Sequence, residues 1–89
     1  MEWFVSVWDS RAKLHHYRAG QVPDRASAIE QAIATGRSIA RRDDGSFIGV
    51  VGRVVIDDTT VDLVPFGDLD VSDEDLRGLI GSFLPVMPH

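Results

Sequence analysis

The 89 residues predict an α+β domain, a small single-layer antiparallel sheet of about four strands packed by one long helix, in the order ββαββα with a short C-terminal helix. Three patterns predict it. Residues 3–8 alternate with the two-residue period of a strand, and residues 28–40 carry apolar side chains at helical spacing. Residues 47–66 are rich in Val and Ile and are broken by turn residues. The length suits a single domain spanning 1–89, with a tail expected to fray from about residue 85.

In the first strand, Trp3, Val5 and Val7 fall on one face and Phe4, Ser6 and Trp8 on the other. The polar stretch 9–13 is short enough to join antiparallel neighbours, so Leu14-His15-His16-Tyr17-Arg18 is the expected second strand of a hairpin. Gly20 to Pro23 is expected to break it. Ala28, Ile29, Ala32, Ile33, Gly36, Ile39 and Ala40 then form one helical stripe, whose small residues permit close approach to a sheet. Asp24 behind Pro23 is one candidate N-cap, and Ser27 with Glu30 is a competing capping box.

Beyond the expected turn at 43–46, Phe47 to Ile56 reads as a strand interrupted by Gly49 and Gly52, either one long bent strand or two. Asp57 to Thr60 reads as a turn, and Val61 to Phe66, with Pro65 near its end, suits an edge strand. Ser72 caps a short amphipathic helix carrying Leu76, Leu79, Ile80, Phe83 and Leu84 and closed by Pro85. There is no internal repeat, linker or low-complexity segment in the sequence.

With no cysteine, disulfides and thiolate metal sites are excluded, and a cytoplasmic location is expected. The amino terminus does not read as a signal peptide, no apolar run approaches the roughly 20 residues that cross a bilayer, and no membrane role is expected. Eight Arg against one Lys, with no Asn, fit the codon bias of a GC-rich bacterial or phage genome.

Signatures of chemistry are few. His15 and His16 are adjacent on a strand and point to opposite faces, so no metal site is expected from them. There is no Gly-x-Ser-x-Gly turn, no Gly-x-Gly-x-x-Gly run and no phosphate loop, so neither catalysis nor a cofactor is expected. Residues 68–79 fail as a calcium loop, because the sixth position is Asp73 and the twelfth Leu79.

Charge is the remaining signal. Residues 1–42 carry seven Arg/Lys and four Asp/Glu, net +3, whereas residues 43–89 carry two and ten, net −8. Asp57, Asp58, Asp62, Asp68, Asp70, Asp73, Glu74 and Asp75 are therefore the candidate acidic contact for a partner. Were residues 68–75 extended, their five charges would span roughly 23 Å at about 3.3 Å per residue. Nucleic acid presents one charge per ~3.4 Å of strand, a density of the same order. Arg11, Lys13, Arg18, Arg37, Arg41 and Arg42 form the opposing candidate, a basic patch beside Trp8 or Tyr17.

The Trp3–Tyr17 hairpin, the helix with Ala28, Ile29, Ala32, Ile39 and Ala40, and the strand from Phe47 resemble the small bacterial ββαβ domains that include the antitoxin half of the HicA/HicB toxin pairs. The Pro-rich segment and Gly-Gly turn of that antitoxin are absent between Arg18 and Asp24, so the resemblance implies a topology rather than an activity.

The leading expectation is a non-enzymatic interaction module that binds a protein with a basic surface through its acidic C-terminal half. Its sharpest form is a phage-type, anti-CRISPR-like inhibitor that blocks a nucleic-acid-binding machine. The alternative is a nucleic-acid-binding or antitoxin-like domain that uses the basic N-terminal half. A homodimer is compatible with either.

Overall fold

The computed structural model describes residues 1–41, 45 and 51–84. Four strands, β1 (Glu2–Asp9), β2 (Leu14–Gln21), β3 (Gly52–Ile56) and β4 (Thr59–Val64), and two helices, α1 (Arg25–Ile39) and α2 (Asp73–Phe83), follow the order ββαββα. The sheet is antiparallel throughout in the order β2-β1-β3-β4, which leaves β4 at an edge, as Pro65 beside it implies. The inner strands β1 and β3 pair antiparallel, so the two hairpins join through their first strands.

One face of the sheet carries the core. Trp3, Val5 and Val7 of β1, Val54 and Ile56 of β3, and Val61 and Val64 of β4 point toward Ala28, Ile29, Ala32 and Ile33 of α1 and Leu76 and Ile80 of α2. Phe66, fully buried just beyond β4, fills the space beside Gly36. A Cβ on Gly36 would stand 2.4 Å from the Phe66 ring, so only glycine lets α1 settle there. The alternate residues of β1, Phe4, Ser6 and Trp8, lie on the other face, which neither helix of the described residues covers.

The caps are resolved by geometry. Asp24 prevails at α1, its carboxylate accepting from Ser27 N at 2.8 Å. At α2, Ser72 Oγ accepts from Asp75 N at 3.1 Å while Asp75 accepts from Ser72 N at 3.4 Å, a reciprocal capping box. Glu30 binds Arg77 and Arg37 binds Asp73, so later residues of α1 meet earlier residues of α2 and the helices run antiparallel.

Three expectations change. Gly20 does not break β2. It lies opposite Trp3, whose indole fills the space a side chain would take (2.9 Å from a Cβ), and the strand runs on to Gln21. The β3–β4 turn is only Asp57-Asp58, with Asp57 left-handed at φ 54°, and Thr59 and Thr60 belong to β4. The last strand ends at Val64 rather than Phe66, because Phe66 turns inward to the core. β3 begins at Gly52. The expected turn at 43–46 apart from Gly45, the strand start at Phe47 with Gly49, the closing Pro85 and the tail from 85 lie outside the described residues.

Candidate functional site

The two sequence halves are not two halves in space. Because β1 lies beside β3, and α1 beside α2, the +3 and −8 segments interleave across the molecule. The eight candidate carboxylates divide accordingly. Asp57 and Asp58 sit at the β3–β4 turn, the end of the molecule that also holds Glu2 and the close of α2. Asp68, Asp70, Asp73, Glu74 and Asp75 sit at the opposite end, where β4 passes into α2. Asp62 is on the edge strand, paired with Arg53 at 2.5 Å.

The five acids at the β4–α2 end do not form the extended row that the sequence spacing allows. Asp73, Glu74 and Asp75 are the first turn of α2, and Asp68 closes a tight turn by accepting from Asp70 N at 2.9 Å. They form a compact cluster because Ser72 starts a helix in the middle of the segment.

Arg37 holds this cluster in place. Its guanidinium donates to the carbonyls of Phe66 (2.9 Å), Asp68 (3.2 Å) and Val71, and its Nε donates to Asp73 at 2.7 Å. A planar fork with five donors suits four divergent acceptors in a way that an ammonium does not. The clamped loop presents Leu69, 70% exposed, between Asp68 and Asp70.

The same packing divides the candidate basic patch, although Arg18, Arg37 and Arg41 border adjoining hollows beside the last turns of α1. Arg37 is committed to the loop. Arg11 and Lys13 lie in the β1–β2 turn, Arg18 is on edge strand β2 opposite Val5, and Arg41 follows α1. Arg42 lies outside the described residues. Arg37 on α1 is thus a loop anchor rather than a surface cation. Its position four residues after Ile33, at the margin of the apolar stripe, is the sequence signal for that role.

The bare sheet face is the other unassigned surface. Trp8 rests on His15 with ring centroids 4.7 Å apart, and Tyr17 stacks on Phe4 at 5.8 Å, so aromatic rings line β1 and β2. On β4, Leu63 is 74% exposed with a left-handed φ of 59°, at the irregularity where the β3–β4 register shifts between Gly52 and Val54. Leucine at this position carries both backbone strain and an apolar side chain in water. Only the tertiary structure makes that visible.

His16 is tied into the hairpin turn. Its Nε2 lies 3.2 Å from Asp9 Oδ2, and the buried Asp9 also accepts from Arg11 N (3.0 Å) and Ala12 N (3.1 Å), closing the hairpin turn. Among the described residues, no three His, Asp or Glu side chains are grouped to hold a metal ion, and no helix is long and apolar enough to cross a membrane. Hydrogen bonds from Ser27 hold Asp24 below the ordinary carboxylate value. The hydrogen bond from Arg77 does the same for Glu30, and Arg77 is raised in return.

Comparison with known proteins finds no matching family model, no matching curated protein and no matching solved structure.

Proposed function

We propose that the chain is a non-enzymatic interaction module of the cytoplasm that binds a protein partner with a basic surface through the loop between β4 and α2. The observation that carries this reading is the Arg37 clamp. A loop held by one guanidinium at three carbonyls and a carboxylate loses little freedom on binding, so its contacts translate more fully into affinity. Leu69 is the apolar anchor, and Asp70 and Glu74 are the charged rim that steers a cationic partner. The absence of cysteine supports the cytoplasmic location.

In its sharpest form the partner is a nucleic-acid-binding protein, and the module is an inhibitor of the anti-CRISPR kind. The compact cluster favours plugging a basic pocket over imitating a length of strand. Direct nucleic-acid binding is less well supported, because Arg11 and Lys13 stand in a separate turn from the other basic residues and Arg37 is occupied.

The test is affinity capture from host extract with the wild type, Leu69→Ala and Asp70→Lys/Glu74→Lys side by side. A protein retained by the wild type, released by added salt and lost from both variants supports the reading. Equal retention by all three, or retention insensitive to salt, rejects it.

A further inference from the structure

From the distribution of charge and relief on the bare sheet face, we infer that this face binds a second copy of the chain in a two-fold, strand-reversing dimer. The turns that close the two ends of the face differ in sign, while the carboxylates of residues 68–75, at the same end as Arg11 and Lys13, belong to the β4–α2 loop and α2 in the helix layer. β1 starts at Glu2, which lies beside Asp57 of the β3–β4 turn, and ends in the turn carrying Arg11 and Lys13. Between them, Arg53 and Asp62 pair within the face and cancel.

The relief is also unequal. At the acidic end is a hollow of about 650 Å³ bordered by Glu2, Phe4, Ala19, Gln21, Val55 and Asp57. Toward the basic end stands Trp8, 44% exposed, while Tyr17, 60% exposed, stands at mid-strand against Phe4.

Charge selects one arrangement. A two-fold axis lying between two facing sheets and perpendicular to their strands reverses strand direction. It brings the Arg11/Lys13 end of each copy over the Glu2/Asp57 end of the other, and the Trp8 half over the hollow. An axis along the strands would place like charges together and the aromatic halves against each other. The first arrangement is self-complementary in both charge and shape.

Area sets the strength. Four strands at about 4.8 Å spacing and six residues at ~3.3 Å give a footprint of roughly 400 Å². That lies at the small end for specific association, so the dimer is a weak one. The proposal is independent of the partner loop, which lies beyond β4 rather than on this face.

The experiment is sedimentation of the full chain from about 1 to 500 µM, with two charge variants measured singly and mixed. Arg11→Glu/Lys13→Glu makes both ends of the face acidic. Glu2→Lys/Asp57→Asn makes the opposite end basic and keeps a residue that tolerates the left-handed turn position. Each variant alone should dissociate at least about tenfold more readily than the wild type, and an equimolar mixture should return to within about threefold of it. Thermal unfolding of each variant establishes that it is folded.

Trp8 supplies a second readout. Its emission should shift to the blue as the wild type associates, against the constant background of buried Trp3 measured in Trp8→Phe. A wild type that stays monomeric at 500 µM overturns the inference. So does a mixture no better associated than its components, or an unshifted Trp8 in a demonstrated dimer. A monomer that binds a single-stranded oligonucleotide through Trp8 also overturns it and assigns the face to nucleic acid.

Discussion

Replacing Arg37 with Met removes the guanidinium while keeping most of the side-chain volume, and its effect follows from what the fork holds. Two contributions can be separated. The ion pair with Asp73 is exposed on the carboxylate side, with Asp73 at 60%, and pairs of that kind contribute about 0–1 kcal/mol. The bonds to the carbonyls of Phe66, Asp68 and Val71 are part-buried, and a hydrogen bond to a charged group contributes about 1.5–3 kcal/mol net.

Water reaches part of the site, since the Arg37 side chain is 22% exposed, and it replaces some of what is lost. The expected loss is therefore about 2–4 kcal/mol rather than the full sum. An 89-residue domain has about 4–13 kcal/mol in total at ~0.05–0.15 per residue, so the change is large. At roughly 4–8 °C per kcal/mol, the melting temperature should fall by about 8–32 °C.

Urea and thermal unfolding of Arg37→Met measure this directly, with Asp73→Asn as the comparison. Asp73→Asn should cost less than about 1 kcal/mol, because it removes the exposed pair and leaves the carbonyl bonds. Hydrogen exchange should quicken at the amides of Asp68 and Val71, which are bonded within the clamped loop. If Arg37→Met costs no more than Asp73→Asn, the loop is not held by its carbonyls and the preorganisation argument is wrong.

Other outcomes follow from local geometry. Asp9→Ala leaves the backbone amides of Arg11 and Ala12 without their acceptor at the hairpin turn, and should lower unfolding free energy by about 2–3 kcal/mol in urea titration. Gly36→Ala drives a methyl into the Phe66 ring and should cost about 1–3 kcal/mol. Phe66→Leu in the same chain should recover part of this, measured as a coupling energy in a double-mutant cycle. Leu63→Gly relieves the left-handed backbone and gives up a side chain that is already largely in water, so stability should rise by up to about 1 kcal/mol in thermal unfolding.

Glu30 supplies a pH dependence. Its folded value is lowered, mainly by the Arg77 hydrogen bond, so the unfolded chain binds the proton more tightly. Its contribution is complete above the ordinary glutamate value of about 4.3 and is lost as pH falls through the lower folded value. In Glu30→Gln, unfolding free energies at about pH 6 and pH 3 should differ less than in the wild type, and an unchanged difference would refute the assignment.

Much of the fold was legible because the signals were local. The two-residue alternation from Trp3 to Trp8 separates the two faces of β1, leaving packing to choose the buried one, and the Ala/Ile/Gly stripe names the buried face of α1. Ser72 marks the start of α2. The errors came where a distant residue overrides local propensity. Gly20 looks like a breaker until Trp3 lies across it, and Phe66 looks like the end of a strand until Gly36 leaves room for its ring.

The sequence by itself determined the ββαββα order, the Ser72 cap and the apolar stripes, since each depends on residues within a turn or two of one another. Only the tertiary structure decided where the charges lie. Pairing β1 with β3 and α1 with α2 folds a +3 segment into a −8 one, sending Asp57 and Asp68 to opposite ends and turning Arg37 from a surface cation into the anchor of a loop. A charge sum along the chain is a one-dimensional quantity. Electrostatic recognition depends on distances across the surface, which are set by strand order and helix packing.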